Sequence, residues 1–139
     1  MGKSLSNDFP QLVDFDSKGK YSKPEFSWNH TVGPTALLFF NSSSFGKDYL
    51  NDLFVGDVHN GTLYHFELNK KRSAFNLDDK LRDRIANNDA ELKDVTFATG
   101  FEGGITDLAI GPDGHLYLVS GIWGCDGKIY KISLRLDPN

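Results

Sequence analysis

Short apolar runs alternate along this chain with breaks marked by glycine, proline or asparagine, which is the patterning of antiparallel strands rather than of helices. The plainest instance is Gly104–Leu134. Ile105, Leu108 and Ile110 form an apolar strand that stops at Gly111-Pro112-Asp113-Gly114. Proline presets φ for a tight turn there, and glycine accepts a positive φ. Leu116–Val119 is a second run of β-formers, Gly124–Gly127 a second turn, and Ile129-Tyr130-Lys131-Ile132 an alternating, half-buried strand. Three strands joined in this way are most of one β-propeller blade, which has about four.

The upstream half follows the same logic. Leu12–Phe15 is a short strand candidate, and Glu25–Trp28 alternates after Pro24. Thr35–Phe40 is nearly all apolar, which predicts a strand buried on both faces. Asp52–Val58 predicts a strand whose Gly56 marks a bulge or a close backbone approach. Asn60-Gly61 is a strong hairpin signal, and Thr62–Leu68 is its return strand. Asn69–Glu91 is the one stretch without strand patterning. Leu77, Leu81 and Ile85 recur there at helical spacing, predicting a short surface helix over Leu77–Ala86 with a solvated charged face. Asp94–Ala98 is a further strand. The polar residues 1–11 are expected to fray, leaving 12–139 as the organised segment.

Set side by side, the halves repeat. Gly33–Leu37 matches Gly104–Leu108, Leu53–Val55 matches Leu116–Leu118, and Gly61–Phe66 matches Gly127–Ile132. The predicted fold is therefore all-β, with two four-stranded antiparallel blades and one short surface helix. Asp94–Ala98 would be the fourth strand of the first blade, and Glu25–Trp28 would close the second. A propeller ring holds about four to eight blades, so two cannot close one. Either further blades come from a longer parent, or three copies of this chain close a six-bladed ring by heterologous contacts. The trimer is the expectation for the chain alone.

Composition narrows the partners. The chain has 139 residues, 39% of them hydrophobic and 13% aromatic, enough for one domain with a real core. A net charge of -4 without a basic stripe argues against nucleic acid. Cys125 is the single cysteine, so no internal disulfide forms. No apolar run reaches the roughly 20 residues of a membrane span. The N-terminus has no apolar signal core, and Gly2 with Ser6 fits a myristoylation pattern only superficially. No P-loop, dinucleotide fingerprint, zinc spacing or nucleophile elbow is present. Asp14, Asp16 and Gly19 lack the terminal glutamate of a calcium loop. Asn29, Asn41 and Asn60 each open an N-glycosylation sequon, which matters only in a secreted eukaryotic protein.

Trp28–Leu68, with its TVGPT and LFVGDVHNG segments, and Gly104–Leu134, with GPDGHLY, resemble blades of the soluble quinoprotein glucose/sorbosone dehydrogenases. The likeness runs from Leu12 onward and implies the C-terminal third of a six-bladed, pyrroloquinoline-quinone-dependent sugar dehydrogenase. The catalytic histidine and the calcium loop would lie in other blades. By family position, Thr31 falls where a threonine faces the quinone, and His59 where a lysine contacts its carboxylates. Gly104 and Thr106 fall where two arginines pair with it. The resemblance thus implies Thr31, His59 and Thr106 as cofactor-binding candidates, with no catalytic residue in this chain. It also implies a small sugar as substrate and an extracellular or periplasmic site if the chain follows its parent. His30 and Asp57 are candidates to face the mouth, His65 reads as a surface residue, and Asp107 bonds backbone or faces the channel. Three readings stay open: a fragment of a sugar oxidoreductase, a non-catalytic binding or scaffold propeller, and a self-assembling unit.

Overall fold

The computed structural model describes residues 16, 18–19, 22–122 and 124–134. The Leu12–Phe15 strand, Asp14 and the segment 1–11 lie outside them. The strands are β1 (Ser27–Trp28), β2 (Pro34–Phe39), β3 (Leu53–Asp57), β4 (Leu63–Phe66), β5 (Ile85–Ala86), β6 (Thr96–Ala98), β7 (Ile105–Ile110), β8 (Leu116–Ser120) and β9 (Lys128–Ile132). One antiparallel sheet has the order β2-β3-β4-β6, and a second has the order β7-β8-β9. The all-β antiparallel reading holds, and the Thr96–Ala98 part of the expected Asp94–Ala98 strand supplies the fourth strand of the first sheet as β6, Asp94 and Val95 lying in a 3-10 turn before it.

The repeat is exact in register. Leu37, Val55 and Tyr64 stand opposite one another across the first sheet, as Leu108, Leu118 and Tyr130 do across the second. Phe39–Leu53–Phe66 and Ile110–Leu116–Ile132 match in the same way. Even the irregularity recurs, between Pro34 and Ala36 and between Ile105 and Asp107. Turn chemistry sets these registers. At Gly111–Gly114 the Gly114 amide donates to the Gly111 carbonyl at 2.9 Å, and Gly114 has φ 78°. The hairpin at Asn60-Gly61 is a four-residue loop closed from Asp57 to Thr62, in which only Gly61 takes a positive φ, 58°.

The two sheets meet face to face. Ala36, Phe40, Phe54 and Leu63 pack against Ile105, Leu108, Leu116 and Leu118 in one buried cluster. At the joint, Gly56 leaves room for Ile105: a Cβ on Gly56 would stand 2.5 Å from Ile105 Cγ2. Of the two readings of a glycine within this strand, a bulge or a close approach, the close approach is the one found. The Thr35 hydroxyl donates to the Ile105 carbonyl at 2.6 Å, and Ser44 Oγ donates to the Gly114 carbonyl at 2.7 Å.

A second cluster covers the opposite face of the first sheet. Leu53, Val55, Tyr64 and Phe66 are buried under Leu81, Ala86 and Val95, with Phe26 and Trp28 packed alongside. This cover accounts for three departures from the sequence reading. Glu25–Trp28 does not close the second sheet: β1 pairs in parallel with β5, and Phe26 and Trp28 lie 4.8 and 6.2 Å from the Phe66 ring. The second sheet accordingly has three strands among the described residues. The short helix, α1, is Asp89–Leu92 rather than Leu77–Ala86. Asp78 caps only a single 3-10 turn at Asp79–Leu81, and Arg84, at φ 64°, turns the chain out into β5. Nor is β2 buried on both faces. Leu37 and Phe39 are 64% and 53% exposed, because the cover stops short of this edge strand. Among the described residues no helix is long and apolar enough to cross a membrane.

Replacing Gly56 with valine is expected to lower the unfolding free energy by about 1–3 kcal/mol in a urea titration, through overpacking against Ile105. The double variant with Ile105→Ala is expected to lose less than the sum of the single changes. Additive losses would mean that the sheets do not meet at this point.

Candidate functional site

One end of the two sheets is built by three loops around a single carboxylate. Asp57 closes β3 and is fully buried. Its Oδ1 accepts from the amides of Gly33 at 2.9 Å and His59 at 2.8 Å. Its Oδ2 accepts from the Asn60 amide at 3.2 Å and from Asn60 Nδ2 at 2.9 Å. Four donors replace the water that a buried carboxylate loses, and the bonds tie the β1–β2 loop to the β3–β4 loop. Asn60 Nδ2 also lies 3.3 Å from the Thr31 carbonyl, and the Val58 amide donates to the Gly33 carbonyl at 2.9 Å.

Glycines bring in the third loop. A Cβ on Gly104 would stand 1.9 Å from the Val58 carbonyl oxygen, and one on Gly61 would stand 2.1 Å from that of Phe101. Both positions have φ above +50°, so the residues leading into β7 lie against the β3–β4 loop backbone to backbone. The His59 ring lies over Gly33, where a Cβ would be 2.6 Å from Nδ1.

These loops enclose two hollows separated by Asn60. One, of about 380 Å³, is lined by Val58, His59, Phe101, Gly104, Ile122 and Cys125 among others. The other, also about 380 Å³, is lined by Thr31, Thr62, Tyr64, Asp89, Lys93 and Thr99 among others. Of the positions singled out from the sequence, His59 and Gly104 share the first hollow, and Thr31 faces the second. Thr106 lines neither; its hydroxyl donates to the Val119 carbonyl at 3.2 Å within its own sheet. Glu102 stands in the first hollow with its charge taken by Lys128 at 2.8 Å. That hydrogen bond holds the carboxyl below, and the ammonium above, their ordinary values. Among the described residues no group of three or more His, Cys, Asp or Glu is placed to hold a metal ion.

Other titratable residues serve the fold. His65 is not a plain surface residue: Nε2 lies 3.0 Å from buried Asp52, and the ring packs on Tyr49 and Phe54. Asp113 accepts from Tyr117 Oη at 2.9 Å and from Lys131 Nζ at 2.6 Å, and the Lys131 bond above all pulls its carboxyl well below the usual range. Asp107 bonds the Leu108 amide at 2.9 Å and stays exposed. The organising roles of Asp57 and Asn60 were missed from the sequence. The available signal was an aspartate two and three residues ahead of a turn, the spacing at which its side chain bonds the turn's own amides.

The Tyr64 phenol, beside this cluster, is held above its ordinary value by burial first and by the Asp57 charge second. The folded chain therefore keeps this proton after the unfolded chain has lost it. Its contribution is intact below about pH 10 and is lost as the pH rises further. Asp57→Asn is expected to bring the Tyr64 midpoint down in a phenolate-absorbance titration. Asp57→Ala is expected to cost at least about 2 kcal/mol of stability and to speed amide exchange at Gly33, His59 and Asn60. Unaltered exchange at those three amides would remove Asp57 from its organising place.

Comparison with known proteins agrees with this architecture. The family model described as Glucose / Sorbosone dehydrogenase matches residues 2–131. Neither a curated protein nor a solved structure gives a significant match. A match over nearly the whole of a two-sheet repeat leaves one assignment: the chain belongs to the glucose/sorbosone dehydrogenase family.

Proposed function

We propose that this chain is a scaffold element of a sugar-dehydrogenase-type propeller, a blade pair that furnishes loops to the ring's mouth and does not itself oxidise sugar. The family is generally quinone-dependent, so the first question is whether the residues present fit pyrroloquinoline quinone, a tricarboxylate. They do not. A planar tricarboxylate calls for fixed guanidinium or ammonium donors. Among the described residues the hollow beside His59 is lined by no lysine or arginine and carries the acidic Glu102, and the hollow beside Thr31 has Lys93 together with the acidic Asp89 but no arginine. At the two positions where family members carry arginines, a Cβ on Gly104 would stand 1.9 Å from the Val58 carbonyl oxygen, and the Thr106 hydroxyl is spent on Val119. Lys128, the ammonium at the rim, is paired to Glu102.

The observation that carries this reading is the sealing of Gly104 against Val58, which leaves no volume for a cofactor-binding side chain. The loop end still offers polar groups to a neighbour, namely Thr31, His59 and Asn60. In a closed ring their part would be to shape the mouth rather than to move a hydride. The test uses the full chain with pyrroloquinoline quinone, calcium ion and a panel of aldoses. No saturable change in the quinone spectrum and no dye reduction above buffer are expected. Stoichiometric quinone binding, or dye reduction that His59→Ala abolishes, would overturn the proposal in favour of an active oxidoreductase.

A further inference from the structure

We infer that the segment carrying β1 is a releasable strap. Through Phe26 and Trp28 it occupies the face of the first sheet on which a neighbouring blade would seat, and it opens without unfolding the two sheets. The repeat identifies that face. Leu53, Val55, Tyr64 and Phe66 correspond in register to Leu116, Leu118, Tyr130 and Ile132. On the second sheet these positions belong to the joint: Leu116 and Leu118 are buried in the cluster that unites the sheets, with Tyr130 and Ile132 packed against it. On the first sheet the same face is covered by the chain's own Phe26, Trp28, Leu81, Ala86 and Val95. What such a face accepts elsewhere in the molecule is a sheet surface of small and apolar residues, which Ala36, Phe54, Gly56 and Leu63 provide.

The strap is held far more lightly than the joint. β1 pairs with β5 over two residues on each side, and the Ser27 and Asn29 amides donate to the Arg84 and Ala86 carbonyls at 2.9 Å each. β3, by contrast, pairs with β2 along its whole length. The Arg84–Glu25 ion pair at 3.0 Å has side chains 45% and 52% exposed, where water screens it. Phe26 and Trp28 are only half-buried, their rings 4.8 Å from Phe66 and 5.5 Å from Tyr64. The downstream end is fixed, because the Gly33 amide is bound by Asp57 and the Thr31 carbonyl by Asn60. The strap therefore swings from Thr31–Gly33 and uncovers Tyr64 and Phe66. Segments with few buried contacts open below the global unfolding free energy. The inference rests on the blade-pair reading only for what seats on the uncovered face.

The test is native-state amide exchange of the full chain. Ser27 and Asn29 are expected to share one opening, with protection at least about a hundredfold below that of Phe54. Leu118→Ala weakens the joint and is expected to speed Phe54 exchange about thirtyfold or more while leaving Ser27 and Asn29 unchanged. Should that variant not fold, low urea applied to the unaltered chain makes the same distinction, since exchange at Ser27 and Asn29 is expected to respond less steeply than at Phe54. Phe26→Ala is expected to raise the fluorescence of the apolar-surface dye ANS, because Tyr64 and Phe66 are uncovered for longer. Ser27 and Asn29 following Phe54 in the variant or in urea would overturn the inference. So would exchange of both at unprotected rates, or ANS fluorescence unaltered by Phe26→Ala. Quinone binding by the intact chain would overturn the proposed function and leave the strap standing.

Discussion

The structure depends on one close approach, that of β7 onto β3 at Gly56. Strands of facing sheets ordinarily stand about 10 Å apart, with side chains filling the gap. Here a missing side chain lets Ile105 reach the backbone of the neighbouring sheet, and the Thr35 hydroxyl locks the approach through the Ile105 carbonyl. Everything else in the main core follows from that contact. It brings Leu116 and Leu118 over Phe54 and Leu63, all of them fully buried, and each such side chain contributes roughly 1.5–3 kcal/mol of transfer free energy. It also sets the start of β7 beside the β3–β4 loop, where Gly104 meets Val58.

The two copies of the unit differ most at the position that organises the loop end. Asp57 in the first sheet corresponds to Ser120 in the second, since they stand opposite Pro34 and Ile105 respectively. The aspartate reaches four donors across two loops. The serine is too short for that role, and its buried Oγ has no hydrogen-bond partner among the described residues. One loop cluster is thus pinned by a charge, while the loop after β8 is held by main-chain bonds such as Gly121 N to Gly104 O at 3.2 Å. A repeat that folds twice to one register has in this way acquired one specialised end, which is where the candidate hollows lie.

Much of this was legible in the sequence. The three-strand repeat of both units, its turns and its alignment came from local chemistry that acts within a few residues, which also marked Gly56 as a bulge or a close approach. Glycine at positive φ, proline in the turn and alternation along strands were sufficient. What escaped was decided at long range. Leu77, Leu81 and Ile85 mimic a helix because the chain crosses an apolar flank at intervals. Leu77 and Leu81 enter the cover, whereas Ile85 stays partly exposed. The actual helix carried its own signal, Asn88 followed three residues later by Glu91, and Asn88 caps the Ala90 and Glu91 amides. The pairing of Ser27–Trp28 with Ile85–Ala86 involves two residues on each side and no periodicity at all. At the site, family position brought out His59 and Gly104, which do share a hollow. It did not reveal that the fold consumes the Thr106 hydroxyl, because that bond depends on the register of the strand pair.

The two sheets form one cooperative body joined through Gly56, Thr35 and Ile105. Native-state amide hydrogen exchange tests this most directly. It predicts that amides of β3, such as Phe54 and Val55, and of β8, such as Leu116 and Leu118, open with the same free energy as global unfolding. Exchange of the β8 amides through a separate, lower-energy opening while β3 stays protected would contradict it.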